Sequence, residues 1–233
     1  MEERATPLTS AMPLPRDEAL NNFSFHIEVN GKPSQAKLRF ATRTELQAYH
    51  RSLAAASKDA SQTLKDAVEF TRLAAKRWRY YAEAGEAVES LDELQQALAA
   101  NKCCEVAFIL ITTTTLRGRE TPIGLTYCRR TWCHHLALDF LALHPRTLSE
   151  KEQIAGVGSG TVYGLVKLAK ALGIRRIWGE ATVHSAPFYE RLLGLVPILD
   201  LFVIEAREMA EIQKRQAKIA RRVLATSGKP AVK

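Results

Sequence analysis

The chain has 233 residues, 46% of them apolar and 25% charged, and a formal net charge of +8. That balance excludes wholesale disorder and leaves ample length for a core. The longest apolar run, Val106–Ile111, is far too short for a membrane helix, and four cysteines, two of them adjacent, make no disulfide framework in a chain of this size. The first twenty residues lack the apolar block of a signal peptide, so the sequence predicts a soluble, cytoplasmic protein. Its positive charge is local. From Ile212 onward there are seven basic residues and no acidic one, and subtracting those seven from +8 leaves +1 for residues 1–211. This argues against a broad phosphate-binding face on the body, and the basic character belongs to the tail.

Residues 1–20 carry three prolines and no periodicity, which predicts a loosely ordered arm. Phe23, Phe25, Ile27 and Val29 alternate with polar residues as in a half-buried strand, and Asn30-Gly31 turns the chain into a return strand through Leu38 and Phe40. Thr42-Arg43-Thr44-Glu45 and Ser90-Leu91-Asp92-Glu93 are capping boxes. They open helices expected to reach about Ala56 and Ala100. Between them a longer helix fits Ser61 to about Ala84, with Leu64, Val68, Phe70, Leu73, Trp78 and Tyr81 as its buried positions.

Three strands follow: Val106–Thr115, Ile123–Cys128 and Leu136–Leu143. The last should place His135 and Asp139 on one face, opposite Leu136, Leu138 and Phe140. A polar stretch, His144–Gln153, leads through a Gly-rich turn to a helix ended by Gly173. Next come a strand (Arg175–Thr182), a helix (Ser185–Leu193) and a short strand pair within residues 195–205. The tail, from Ala206 to about Ala225, forms an amphipathic helix with Met209, Ile212, Ile219 and Val223 on its apolar side. The order predicts three regions: the arm (1–20), one mixed α/β domain (21–205) and the basic tail (206–233).

The turn Gln153-Ile154-Ala155-Gly156-Val157-Gly158-Ser159-Gly160 carries the most chemistry. Its glycines allow close backbone approach, and the helix start offers free N–H groups and a positive dipole end to a pyrophosphate. A flexible turn before a helix is the bland alternative. A P-loop is excluded because Thr161-Val162 follows the last glycine. A dinucleotide fingerprint fits poorly, because its third glycine comes one place early and no strand directly precedes it.

Gln153-x-x-Gly156-x-Gly158 matches the Q/R-x-x-G-x-G/A acyl-CoA loop of the GNAT superfamily of N-acetyltransferases. An apolar strand precedes the loop, a helix follows, and Thr182-Val183-His184-Ser185-Ala186-Pro187-Phe188-Tyr189 resembles the family's N-x-x-A-x-x-[apolar]-Y segment, with Thr182 and Ser185 in place of Asn and Ala. The resemblance covers about residues 105–205. It implies a GNAT-like mixed central β-sheet flanked by helices, to which this chain adds an N-terminal hairpin and a C-terminal basic helix.

It also implies acetyl-CoA as cosubstrate, without a metal, and direct attack of an amine acceptor on the thioester. Residues 153–160 would cradle the pyrophosphate, with Thr182 nearby. Backbone groups of Leu141, Ala142 and Leu143 would hold the pantetheine arm.

Acyl transfer from a thioester needs a neutral amine, a polarised carbonyl and a proton for the departing thiolate. Tyr189 stands where the family often keeps that acid; a core tyrosine is the alternative. Asp139, amid apolar neighbours, needs a partner and is the candidate base or a structural hydrogen-bonding group, with Glu180, His135 and His184 behind it. Cys128, Cys133, His134 and His135 lack the spacing of a zinc knuckle. A second functional class stays open, a non-catalytic module acting through its tail on RNA or another acidic partner. Homodimer formation is also open.

Overall fold

The computed structural model describes residues 23–54, 62–148, 153–194 and 197–227. The expected arm and the last six residues lie outside these.

Local signals set the first elements. Asn30 and Gly31 take left-handed dihedrals (φ 51° and 72°) and fold β1 (Ser24–Val29) back onto β2 (Lys32–Phe40). At the first capping box Thr42 Oγ1 accepts from the Glu45 N–H (3.3 Å), while the Glu45 carboxylate accepts from the Thr42 N–H (3.0 Å). Helix α1 then runs Arg43–Ala54 and α2 runs Gln62–Glu83. The buried stripe of α2 differs from the expected one. Ala67, Thr71, Ala74, Ala75 and Trp78 face inward, whereas Phe70 is 36% exposed. Small residues let α2 lie close on the sheet, and the larger ones flank the contact.

After β3 (Ala87–Val88) the second capping box opens α3 (Leu91–Ala100), with the Glu93 N–H donating to Ser90 Oγ. The long strands β4 (Val106–Leu116), β5 (Arg119–Arg130) and β6 (Leu136–Leu143) follow. The polar stretch after β6 holds a 3₁₀ turn, Pro145–Leu148, and leads into a two-residue strand, β7 (Ile154–Ala155), which sequence periodicity misses. Then come α4 (Val157–Ala171), β8 (Ile177–Glu180), α5 (Ala186–Leu193), β9 (Leu201–Ile204) and α6 (Ala206–Ser227). Strand β8 is shorter than expected. In place of a closing pair, one strand, β9, lies among the described residues.

The nine strands form one sheet in the order β7-β1-β2-β4-β5-β6-β8-β9, with β3 beside β4. Pairing is antiparallel except between β3 and β4 and between β6 and β8. Helices α1 and α2 cover one face, over Ile109, Ile111, Leu125 and Tyr127. Helices α4, α5 and α6 cover the other, over Phe108, Leu110, Leu136 and Phe202. The mixed central sheet flanked by helices is as expected, and so are the N-terminal hairpin (β1–β2) and the C-terminal helix α6. Met209 and Ile212 bury the apolar side of α6 against the domain, while Ile219 is 39% exposed. Among the described residues no helix is long and apolar enough to cross a membrane.

One register shift matters for the site. Tyr127 pairs with Phe140 and Cys128 with Leu138, so Asp139 is the extra residue of a β-bulge. The bulge resets the alternation. Phe140 therefore packs beside Tyr127 on the α2 face, not with Leu138 as simple alternation requires.

His144, directly after β6, fastens that strand to α1. Its Nδ1 accepts from the Arg146 N–H (3.2 Å), its Nε2 lies 3.4 Å from Ser52 Oγ, and its ring meets Tyr49 edge-on. Burial, aided by the nearby Arg146 charge, lowers its pKa to about 4. The unfolded chain, with a histidine pKa near 6.5, therefore binds more protons between those values. The stabilisation from the neutral ring is complete above about pH 6.5 and is lost as pH falls toward 4. Urea denaturation should show His144→Gln losing about 2 kcal/mol less than wild type between pH 7 and pH 5; equal losses would refute this role.

Candidate active site

β6 and β8 pair at only two positions, Leu136 with Ile177 and Ala137 with Trp178. Beyond them the β8-facing edge of Leu138–Leu143 has no strand partner among the described residues. Gly179 sits where the strands part. A Cβ there would lie 2.5 Å from the Leu138 carbonyl and 2.7 Å from the Phe202 ring, so only glycine allows this approach. The parting leaves a narrow cleft. Its walls are Leu138, Asp139, Phe140 and Leu141 of β6, Glu180 of β8, Thr182, Ser185 and Tyr189 at α5, and Phe70 of α2.

The Gly-rich turn is held from below by the N-terminal hairpin. Ile154 and Ala155 pair with Val29 and Glu28, and Gln153 exchanges two bonds with Asn30: its N–H donates to Asn30 Oδ1 (2.9 Å) and its carbonyl accepts from the Asn30 N–H (2.8 Å). Gly156 caps α4 in the left-handed region (φ 85°). The first N–H groups of the helix, from Val157 to Ser159, have no carbonyl one turn back to receive them.

The other glycines answer to aromatic neighbours. A Cβ on Gly158 would come within 3.1 Å of the Phe188 ring, and one on Gly160 would overlap the Phe25 ring. The first obstacle to a side chain at 158 is thus Phe188, where the sequence alone pointed to ligand space, and Gly160 belongs to the core.

Tyr189 lies on the inner wall of the cleft. Its ring stacks on Phe202 (3.9 Å between centroids) and meets Phe188 edge-on. Burial pushes the phenol well above its ordinary pKa, so it is protonated at neutral pH. Thr182 and Ser185 spend their side chains on the turn into α5, the Thr182 N–H donating to Ser185 Oγ (2.9 Å) and the Ser185 N–H to Thr182 Oγ1 (3.2 Å).

Asp139 is clamped. Its two oxygens accept from Nε and Nη2 of Arg129 (2.6 and 2.9 Å), with Arg77 of α2 at 3.9 Å. Arg129 also donates to Glu105, which accepts from the Tyr81 hydroxyl (2.5 Å). The Asp139 bond, with that to Glu105, pushes the Arg129 pKa far up. Glu180, at the cleft mouth, makes no side-chain hydrogen bond or ion pair among the described residues. His135 lies away from the cleft, its Nδ1 3.3 Å from Cys133 Sγ, and His134 Nδ1 accepts from Arg130.

Sequence reasoning missed Arg129, Phe70 and the far side of the turn. Arg129 had a legible signal, a cation on the neighbouring strand where a lone strand aspartate needs one. Beyond the turn, Ser159, Phe188, Arg191 and Gln216 line a groove of about 280 Å³ between α4, α5 and α6. Arg215 closes its end by donating to the Arg191 and Leu192 carbonyls at the C-terminus of α5.

No family model and no curated protein sequence matches the chain. Among solved structures it is similar to a chimera of the spermidine N-acetyltransferase SpeG from Vibrio cholerae and hSSAT, at 14% identity over 78% of this chain and 100% of that one, with a TM-score of 0.41. It is also similar to a cAMP-binding acyltransferase from Mycobacterium smegmatis, at 14% identity over 88% of this chain and 58% of that one, with a TM-score of 0.37. Likenesses this distant carry no functional weight.

The packing of the turn yields a contrast. Gly160→Val should destabilise the protein by about 1–3 kcal/mol, the cost of overpacking a filled core, whereas Gly158→Ala, which meets only the tip of the Phe188 ring, should stay within about 1 kcal/mol of wild type. Urea midpoints compared at equal m-values measure both. Equal effects would show that Phe25 does not fill the space above Gly160.

Proposed function

We propose that the chain is an N-acetyltransferase that passes an acetyl group from acetyl-CoA to an amine by direct attack in a ternary complex. The observation that carries this is the unpartnered β6 edge running toward the open N-terminus of α4. An extended ligand with amide groups can complete such an edge as a further strand would, and its pyrophosphate can meet free N–H groups and a helix dipole. Leu141, Ala142 and Leu143 supply that edge, and residues 153–160 with Thr182 form the surroundings of the pyrophosphate. The groove of Phe188, Arg191 and Gln216 would receive the nucleotide end.

In this mechanism the amine nitrogen bonds to the thioester carbon, and a backbone N–H near the Asp139 bulge stabilises the charge on the carbonyl oxygen. The carbon–sulfur bond then breaks, Tyr189 gives its proton to the departing sulfur, and the proton shed by the acylated nitrogen returns to the Tyr189 phenolate through solvent. Asp139, locked on Arg129, fixes the bulge. Glu180, unengaged at the mouth, is better placed than Asp139 to take the proton of an incoming ammonium group. The non-catalytic alternative is less favoured, because Met209 and Ile212 bury the tail helix on the domain and Arg215 turns inward. RNA binding by the tail has no support beyond its charge.

Calorimetry with acetyl-CoA and thiol release over a panel of amines test the proposal. Saturable binding and amine-dependent release are expected. Tyr189→Phe should keep acetyl-CoA affinity within a few-fold while turnover falls roughly 10²-fold, the scale of one positioned proton donor. Absence of binding by folded protein would overturn the donor assignment. Unchanged turnover, with chemistry limiting the rate, would make Tyr189 a core residue.

A further inference from the structure

A cavity of about 420 Å³ lies away from the cleft, between α1 and α2. Its floor is apolar, built from Leu46 and Trp78, and its rim carries Arg43, His50, Arg51 and Arg79. Among the described residues no acidic side chain lines it. Two nearby carboxylates are engaged elsewhere: Glu45 pairs with Arg39 (2.6 Å), and Glu89 accepts the main-chain N–H of Arg43, not its guanidinium (3.0 Å). Arg43, His50 and Arg79 form no ion pair among the described residues, and Arg51 makes only a long 3.4 Å bond to the Gln47 carbonyl.

Trp78 is 4% exposed, and its ring closes the apolar floor of the groove. The arginines offer hydrogen-bond donors alone. What would complete the groove is therefore an acceptor-rich, negatively charged group on an apolar body. Guanidinium forks suit the planar or tetrahedral oxygens of carboxylate or phosphate, and the volume is that of a small-molecule site.

We propose that the α1–α2 groove is a second ligand site, which takes a small amphipathic anion bearing a carboxylate or phosphate on an aromatic or aliphatic body. It stands independently of the acetyl-transfer proposal, since Trp78 and Arg79 lie about two helical turns along α2 from Phe70, the residue that helix contributes to the cleft.

The test uses the full chain and three probes: 2-naphthoate, 2-naphthyl phosphate and 2-naphthylmethylamine. Binding is followed by calorimetry and by tryptophan fluorescence, with and without saturating acetyl-CoA. Both anions should bind saturably and at least tenfold more tightly than the amine, and acetyl-CoA should not displace them. Arg79→Gln and Arg43→Gln should each weaken the anions at least tenfold and leave acetyl-CoA affinity unchanged. Arg79→Lys, which keeps the charge without the fork, should recover part of the phosphate affinity. Absent anion binding at millimolar probe, equal binding of anion and amine, or full affinity in the folded Arg43→Gln/Arg79→Gln double variant would overturn the proposal.

Discussion

Inside a sheet, a backbone N–H or carbonyl without a partner is costly, and β6 carries a row of them. Its parallel pairing with β8 stops after Ala137 and Trp178, so from Leu138 onward the edge has no strand beside it among the described residues, although both faces of β6 are covered. Much of the surrounding structure serves to hold that opening in place. Gly179 fixes where the strands part, because its missing side chain admits the Leu138 carbonyl. Helix α4 begins beside the far end of the gap, and α5 walls it with Tyr189.

The bulge at Asp139 needs its own restraint, since an extra residue in an open-edged strand could slip. The restraint is ionic. Arg129 grips both Asp139 oxygens and also Glu105, and Tyr81 joins the cluster from α2. Four elements thereby meet at one guanidinium: β5, β6, the start of β4 and α2. Breaking one partner of such a partly buried network leaves another charge uncompensated, which costs far more than an exposed pair would. The cluster is thus a positioning device for β6, and it explains an aspartate among apolar neighbours without assigning it a proton.

Features decided within a few residues were legible in the sequence. Asn30-Gly31, the Thr42–Glu45 and Ser90–Glu93 boxes and Gly173 each carry their instruction locally, and the ends of β6 follow from its apolar run. Features decided by a distant partner were not. Strand β7 is two residues long and exists because Val29 and Glu28 lie beside it. The bulge at Asp139 belongs to the pairing of β5 with β6, so alternation along β6 alone misplaces Phe140. The α2 stripe keeps Trp78 inward, with Val68 and Tyr81 at its margin, but its centre is Ala67, Thr71, Ala74 and Ala75, because a helix lying close on a sheet turns its small residues inward. At the site, the Gly-rich turn and Tyr189 stood out as motif residues, but Gly160 owes its identity to Phe25, more than a hundred residues earlier.

That last kind of pairing has a consequence for how the protein is made. Asn30 and Gln153 are 123 positions apart, yet they hold the Gly-rich turn jointly. During synthesis the β1–β2 hairpin emerges first and must wait for both of its neighbours, β4 on one side and residues 153–155 on the other. At ribosomal rates of 5–20 residues per second, the interval between Asn30 and Gln153 is roughly 6 to 25 seconds. Throughout it Phe23, Phe25 and Ile27 have no helix to cover them, since α4 follows the turn itself. The earliest part of the fold to be translated is therefore among the last to be secured, and the nascent chain passes through a stage with an apolar hairpin that a chaperone could shield.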